Sequence, residues 1–353
     1  MTMQEKEELL AARLAEHPKV SLGFYPTPLC RLEKLSAMFG VELLMKREDF
    51  SGISVFGGNK MRKLEYVFGD VLKSGCDTVF TYGATQSNHA MQTATAARKC
   101  GVEPVLWLTE FVHAAEEDVR ANILLDAILG AEVHIISREQ AKDKAQVTRR
   151  RREELAAQGH KVYDILGGVA DAIGGCGFTE GFLELYRQME ALGETPDYVF
   201  TTTGSGGTVS GLVAAKKALG LDTKIIGIRV ADKPATYKEK IIDLANDVLE
   251  YLGYDRTACG DDFEINADYY GEGYEIPYGP ANETIRLVAR KEGIMLDPVY
   301  TGKGFNAVLE YIKNGIVKPK SRVVFLHTGG TTALFAEPSM VGSLSVNDRL
   351  FRE

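Results

Sequence analysis

Tyr198-Val199-Phe200-Thr201-Thr202-Thr203-Gly204-Ser205-Gly206-Gly207-Thr208 runs from an apolar, β-favouring segment into a glycine-rich turn, and a helix-patterned stretch over 208–219 follows. Aromatic and β-branched residues at 198–202 predict a strand, and the whole reads as one strand–loop–helix unit. Similar apolar runs at 77–82, 104–108, 133–136, 225–230 and 323–327 predict further strands. Helical patterns over 87–99, 119–129, 141–157 and 282–291 fall between them. This alternation predicts an α/β protein with mainly parallel sheets. No Pro/Gly/Ser-rich linker divides the chain, so a two-domain arrangement would need chain crossovers. Residues 255–270 are the least regular and read as loop.

At 353 residues the chain has room for about two domains and sizeable cores. With 25% charged and 45% hydrophobic residues it has a globular composition, and a net charge of −8 argues against an extended nucleic-acid surface. A local basic pocket for an anionic cofactor stays compatible with that balance. Cys30, Cys76, Cys100, Cys176 and Cys259 are scattered without a C-x-x-C pair. Such a set fits reduced thiols better than a disulfide framework or a zinc site. The first fourteen residues are charged and amphipathic, unlike a signal peptide, and no run is long enough to span a bilayer. A cytoplasmic location without membrane or nucleic-acid partners is expected.

Several turns carry the chemistry. In open α/β sheets ligands gather outside the carboxyl ends of the strands, so these turns are expected to meet around one crevice. In 203–208 the glycines let backbone N–H groups converge, Ser205 and Thr208 add hydroxyls, and a helix start favours an anion. That is a phosphate cup without the Gly-Lys-Ser/Thr ending of a P-loop; a tight structural turn is the bland alternative. Gly57-Gly58-Asn59-Lys60, followed by Met61-Arg62-Lys63-Leu64-Glu65, puts a lysine where a helix begins. A helix start disfavours an ammonium, as a nucleophilic lysine requires, although these residues alone suit an ordinary surface helix better. In Gly83-Ala84-Thr85-Gln86-Ser87-Asn88-His89, Ser87 fits a helix N-cap with free N–H groups beyond it, a place for a small carboxylate. His89 alone would more often be a structural hydrogen-bonder. Five glycines within 167–177 imply close approach of other groups or a flexible connection between domains. Asp297-Pro298-Val299-Tyr300-Thr301-Gly302-Lys303-Gly304 and His327-Thr328-Gly329-Gly330-Thr331 complete the set; Tyr300 suits stacking on a flat ring or a place in the core.

Taken together and in this order, these motifs resemble the family of D-cysteine desulfhydrases and aminocyclopropane-carboxylate deaminases, over about residues 22–335. These are pyridoxal-phosphate enzymes of the tryptophan-synthase-β fold type. The resemblance implies that Lys60 holds pyridoxal 5'-phosphate covalently and later carries the Cα proton. Lys63 would approach the phosphate, with Gly204, Ser205, Gly206, Gly207 and Thr208 as its cup. Asn88 would contact the phenolic oxygen of the cofactor. Gln86, Ser87 and His89 would bind the substrate carboxylate, Ser87 being also an acid–base candidate. Tyr300 and Tyr274 would lie near ring and substrate. A homodimer is implied, with residues 1–62 and 174–353 forming a larger cofactor-binding domain and 63–173 a smaller one.

Thr301 and Thr328 discriminate within the family. Ring-opening members usually have glutamate and leucine there, and hydroxyl partners leave a pyridine ring more nearly neutral. A weaker electron sink suits β-elimination, in which the leaving group takes electrons away. D-cysteine, converted to pyruvate, ammonia and hydrogen sulfide, is therefore the expected substrate. Residues 275–283 make a longer turn than the family pattern, which keeps sulfite release from cysteate and deamination of aminocyclopropane carboxylate open. The Cα configuration is not fixed by these residues. Two readings from other classes stand beside this one. A nicotinamide-dependent oxidoreductase would leave Lys60 and the 86–89 cluster idle, and a non-catalytic pyridoxal-phosphate-binding protein would need no carboxylate site.

Overall fold

The computed structural model describes residues 1–110 and 119–336. In chain order the elements begin with α1 (Met3–Ala15), β1 (Leu29–Arg31), α2 (Glu33–Phe39), β2 (Glu42–Lys46), α3 (Lys60–Ser74), β3 (Thr78–Ala84), α4 (Asn88–Cys100) and β4 (Glu103–Thr109). Next come α5 (Ala121–Ile128), β5 (Glu132–Ile136), α6 (Lys144–Ala157), β6 (Val162–Ile165), α7 (Ala172–Glu190), β7 (Tyr198–Thr203) and α8 (Gly207–Leu219). The last are β8 (Lys224–Arg229), α9 (Tyr237–Tyr251), β9 (Phe263–Asn266), α10 (Gly279–Glu292), α11 (Thr301–Lys313), β10 (Arg322–Leu326) and α12 (Ala333–Ala336). The strands form a six-stranded sheet, β1-β2-β10-β7-β8-β9, and a four-stranded sheet, β5-β4-β3-β6. Every pairing is parallel except β1 with β2. The expected α/β class with mainly parallel sheets is the one observed.

Alternation along the central strands builds a core on both faces of the larger sheet. Val199, Val324 and Leu326 pack with Phe178, Leu212 and Val248 of α7, α8 and α9. Their neighbours Phe200, Val323 and Phe325 point the other way, onto Leu35, Ile285, Val288 and Phe305 of α2, α10 and α11. The smaller sheet is covered by α3 and α4 through Leu64, Val67, Phe68 and Ala96 around Val79, and by Leu155 of α6 against Phe80 and Trp107.

Three expectations need correction. Residues 255–270 contain β9, an edge strand paired with β8, rather than loop alone. The glycines at 174, 175 and 177 lie inside α7 and are not a flexible connection. A Cβ on Gly177 would come within 2.4 Å of Arg62 O, so this glycine lets α7 cross α3 at backbone contact. Likewise Gly302, Lys303 and Gly304 belong to the first turns of α11.

Candidate active site

A cleft of about 720 Å³ opens where the carboxyl ends of β3, β4, β7 and β8 face the segment after β10. Of the residues singled out in the sequence, Lys60, Asn88, His89, Gly204, Ser205, Gly206, Thr208, Tyr274, Tyr300 and Thr328 line it. Lys63, Gln86, Ser87, Gly207 and Thr301 stand behind that lining. The crevice between the glycine turns is real. Two of the turns meet backbone to backbone. Gly58 pairs with Gly329 in an isolated antiparallel bridge, and Asn59 N donates to Thr328 O at 3.1 Å. A Cβ on Gly58 would lie 2.8 Å from Thr328 O, and one on Gly329 only 2.5 Å from Gly57 O. Side chains on either would push the two turns apart.

The 204–208 turn connects β7 to α8 and has Gly206, at φ 98°, as the N-cap. Asn59 Nδ2 donates to Thr208 Oγ1 at 3.0 Å and so ties the turn to the residue before Lys60. Tyr237 of α9 braces it from behind, with its hydroxyl 2.6 Å from Thr203 Oγ1 and donating to Gly204 O at 3.2 Å. Lys63 is fully buried beneath the turn, and its Nζ would be 3.0 Å from a Cβ on Gly207. Its Nζ donates to Gly168 O at 3.3 Å. Burial first, and the charge of Lys60 second, push its pKa well below the usual lysine value; Asp171 opposes them. A buried amine beneath a glycine turn that opens a helix, with no carboxylate bonded to it among the described residues, fits a phosphate.

Lys60 is the first residue of α3 and projects into the cleft. Its pKa is lowered from 10.5 to about 8, and the cause is removal from water. This amine is neutral far more often near physiological pH than an ordinary lysine. It is placed and poised to attack a carbonyl.

The 84–89 turn is built as a cap. Ser87 Oγ accepts from Ala90 N at 3.2 Å. Gln86 is turned away from the cleft toward α5: its Nε2 donates to Arg120 O at 3.2 Å, and its Oε1 accepts from Asn122 N at 3.0 Å. His89 reaches the cleft wall, yet Nε2 bonds to Thr81 Oγ1 at 2.7 Å and Nδ1 lies 3.4 Å from Thr93 Oγ1. Burial, then the charges of Lys60, Lys63 and Lys144, keep its pKa well below the usual histidine value, so the ring is neutral. Gln86 and His89 thus brace the turn, while the N–H groups that open α4 remain beside the cleft.

On the opposite wall the hydroxyls of Tyr300 and Tyr274 are 2.6 Å apart, with the rings edge to face. Burial is the first cause that holds both phenols protonated. Thr301 departs from expectation. It is fully buried, and its hydroxyl donates to Asp297 Oδ1 at 2.6 Å and accepts from Asp297 N at 2.8 Å. Asp297 also collects the N–H groups of Val299, Tyr300 and Thr301, which starts α11 and turns Thr301 from the cleft. The hydroxyl pair that does line the cleft is Thr202 with Thr328, 3.3 Å apart. Sequence reasoning missed Thr202, Tyr237, Asn122 and Lys303. Lys303 is fully buried one turn after Tyr300, donates to Gly273 O at 2.8 Å and so fixes the loop that carries Tyr274. Its place three residues after Tyr300, at helical spacing, is the signal that could have found it.

Residues 20–329 match the family model described as pyridoxal-phosphate dependent enzyme, and the chain belongs to that family. It is similar to the 1-aminocyclopropane-1-carboxylate deaminase of Methylobacterium nodulans, 36% identical over 327 residues, 91% of this chain and 97% of that protein. It is also similar to the D-cysteine desulfhydrase of Salmonella typhi, 36% identical over 326 residues, 92% of this chain and 97% of that protein. Among solved structures, that of an ACC deaminase homologue aligns with a TM-score of 0.83 and 34% identity, over 94% of this chain and 98% of the other. The protein is a pyridoxal-phosphate-dependent enzyme of the lyases that eliminate or deaminate. No helix of the described residues is long and apolar enough to cross a membrane.

Proposed function

We propose that this enzyme catalyses β-elimination from a small β-substituted amino acid, foremost D-cysteine, whose products with water are pyruvate, ammonia and hydrogen sulfide. The observation that carries this reading is the Thr202–Thr328 hydroxyl pair on the cleft wall, 3.3 Å apart. Hydroxyls there do not hold a proton on a pyridine nitrogen as a carboxylate would, and elimination tolerates the weaker sink. Bound through Lys60, pyridoxal phosphate supplies an electron sink for the pair left at Cα when its proton departs. The Lys60 amine, its pKa lowered to about 8, is the group that accepts that proton. Lys63 and the 204–208 cup hold the phosphate end, and Asn88 donates to the phenolic oxygen. Ser87 and the free N–H groups at the start of α4 take the substrate carboxylate. Tyr300, kept protonated by burial and bonded to Tyr274, hydrogen-bonds the departing sulfur.

The two sheets support the division into a larger domain of 1–62 with 174–353 and a smaller one of 63–173. Residues 111–118 and 337–353 of these spans lie outside the described residues. The reading carries with it a cytoplasmic homodimer, taken from the family resemblance and the scattered cysteines. Deamination of aminocyclopropane carboxylate is the second reading, favoured by relatives that bear that name. The test is product release over D- and L-cysteine, cysteate, chloroalanine and aminocyclopropane carboxylate. Pyruvate and sulfide from D-cysteine at the highest kcat/KM support the proposal. Ring opening, which gives 2-oxobutanoate, as the fastest reaction would replace it.

A further inference from the structure

Asn88 lines the cleft, and what its amide presents there depends on which way round it sits. A primary amide has a donor end and an acceptor end, and neighbouring groups decide between them. Here Asn88 Oδ1 accepts from Asn122 Nδ2 at 2.9 Å and from Thr332 Oγ1 at 3.1 Å. Two donors converge on one oxygen, from α5 of the smaller sheet and from the turn leading into α12. The nitrogen end lies against Gly330, where a Cβ would come within 3.0 Å of Nδ2. Asn122 is buried, and its other interactions hold it rigid: Nδ2 also donates to Gln86 O at 2.9 Å, and its backbone N donates to Gln86 Oε1 at 3.0 Å. Turning the amide over would set its NH2 against the Asn122 NH2 and leave one N–H of that buried amide without an acceptor.

We infer that Asn122 and Thr332 are positioning residues that lock the Asn88 amide with its N–H end toward the cofactor's phenolic oxygen. The inference rests on the proposed contact between Asn88 and that oxygen. It gives α5 a role that neither its sequence nor its distance from Lys60 announces. The segment that sets Asn88 also anchors Gln86, so one side chain fixes both flanks of Ser87. Loss of Asn122 or Thr332 acts on cofactor binding only by way of Asn88.

That dependence is testable by a double-mutant cycle on pyridoxal phosphate affinity, measured by titrating the cofactor into cofactor-free protein. Asn122→Ala is expected to weaken binding about tenfold and Thr332→Val about threefold, each with a shift of the visible band in the direction produced by Asn88→Ala. In the Asn88→Ala background both effects should fall below about twofold and the band should not move further. If either substitution keeps its full effect there, or has none in the wild-type background, the inference is overturned. Should Asn122→Ala not fold, the Thr332→Val arm decides on the same criteria. Absence of pyridoxal phosphate binding by the wild-type protein would instead defeat the proposed function, so the two failures are distinguishable.

Discussion

Arg62 and Lys63 are neighbours on α3, both buried basic side chains, and they are treated in opposite ways. Arg62 is bonded by Nε to Glu48 Oε2 at 2.6 Å and by Nη2 to Glu48 Oε1 at 2.9 Å, with Glu184 Oε1 a further 2.7 Å partner. Burial alone would lower its pKa, but Glu48 and Glu184 together reverse that and raise it. Lys46 joins the same group through Glu184, Gln188 and Thr27 O. Lys63 has a backbone carbonyl at 3.3 Å and Asp171 at longer range. A buried charge without a bonded counter-ion is costly, so a fold retains it where a ligand supplies the missing partner. One face of α3 is completed by the protein itself, and on the proposed function the other is completed by the phosphate of the cofactor.

Substitutions can break this contrast. The largest effect is expected at Lys60, which differs from both neighbours in facing the cleft: Lys60→Ala should lower kcat on the order of 10³-fold while the protein stays folded. Steady-state turnover with a matched circular dichroism spectrum checks it. Next, Arg62→Met should strand Glu48 and destabilise the protein by about 3–5 kcal/mol, visible as a lower urea midpoint. Lys63→Met should do the reverse to the cofactor-free protein. The pKa of Lys63 in the folded state lies below its unfolded value, so the unfolded state binds more protons and charging this group opposes folding at pH 7. Removing it should leave the free protein as stable or more so, while pyridoxal phosphate affinity falls by about tenfold or more. Equal destabilisation by the two substitutions would erase the distinction.

A smaller effect sharpens it further. If Lys63 is charged by its ligand, binding of pyridoxal phosphate should take up part of a proton at alkaline pH, and Lys63→Met should abolish that part. Calorimetry in buffers of different ionisation enthalpy measures it. Smallest of all is a buried carboxylate with neither kind of partner. Asp126 on α5 has no hydrogen-bond partner for either oxygen among the described residues, and burial raises its pKa to about 8. Because the folded value exceeds the unfolded one, its contribution to stability is lost as pH rises through about 8. Asp126→Asn should therefore raise the melting temperature above pH 8 by a few degrees and have little effect near pH 4. A gain that does not grow with pH would show that the carboxylate has a partner after all.

The sequence made the central βα units legible because runs such as 198–203 are β-branched and buried on both faces. It left β1, β2, β6 and β9 hidden for local reasons. β1 has three residues, and β2 is Glu-Leu-Leu-Met-Lys, whose side chains suit a helix as well as a strand. β6 and β9 are four-residue edge strands that carry Asp164 and Glu264. In the site, glycine pairs and Lys60 could be found because their spacing is local. Thr301 could not be placed, because its orientation depends on Asp297 four residues earlier, which takes its hydroxyl. Gln86 was drawn from the cleft by Asn122, a contact 36 residues away that no local pattern encodes. Residue types were readable, and the directions in which side chains point were set by tertiary partners.

The most direct test loads the protein with pyridoxal phosphate, reduces it with borohydride and maps the modified peptide. The account predicts one adduct, on Lys60, since among the cleft-facing lysines it alone combines the helix start, the approach to the cup and a pKa lowered to about 8. An adduct found on Lys63, Lys303 or any peptide lacking Lys60 would contradict the assignment of roles along α3.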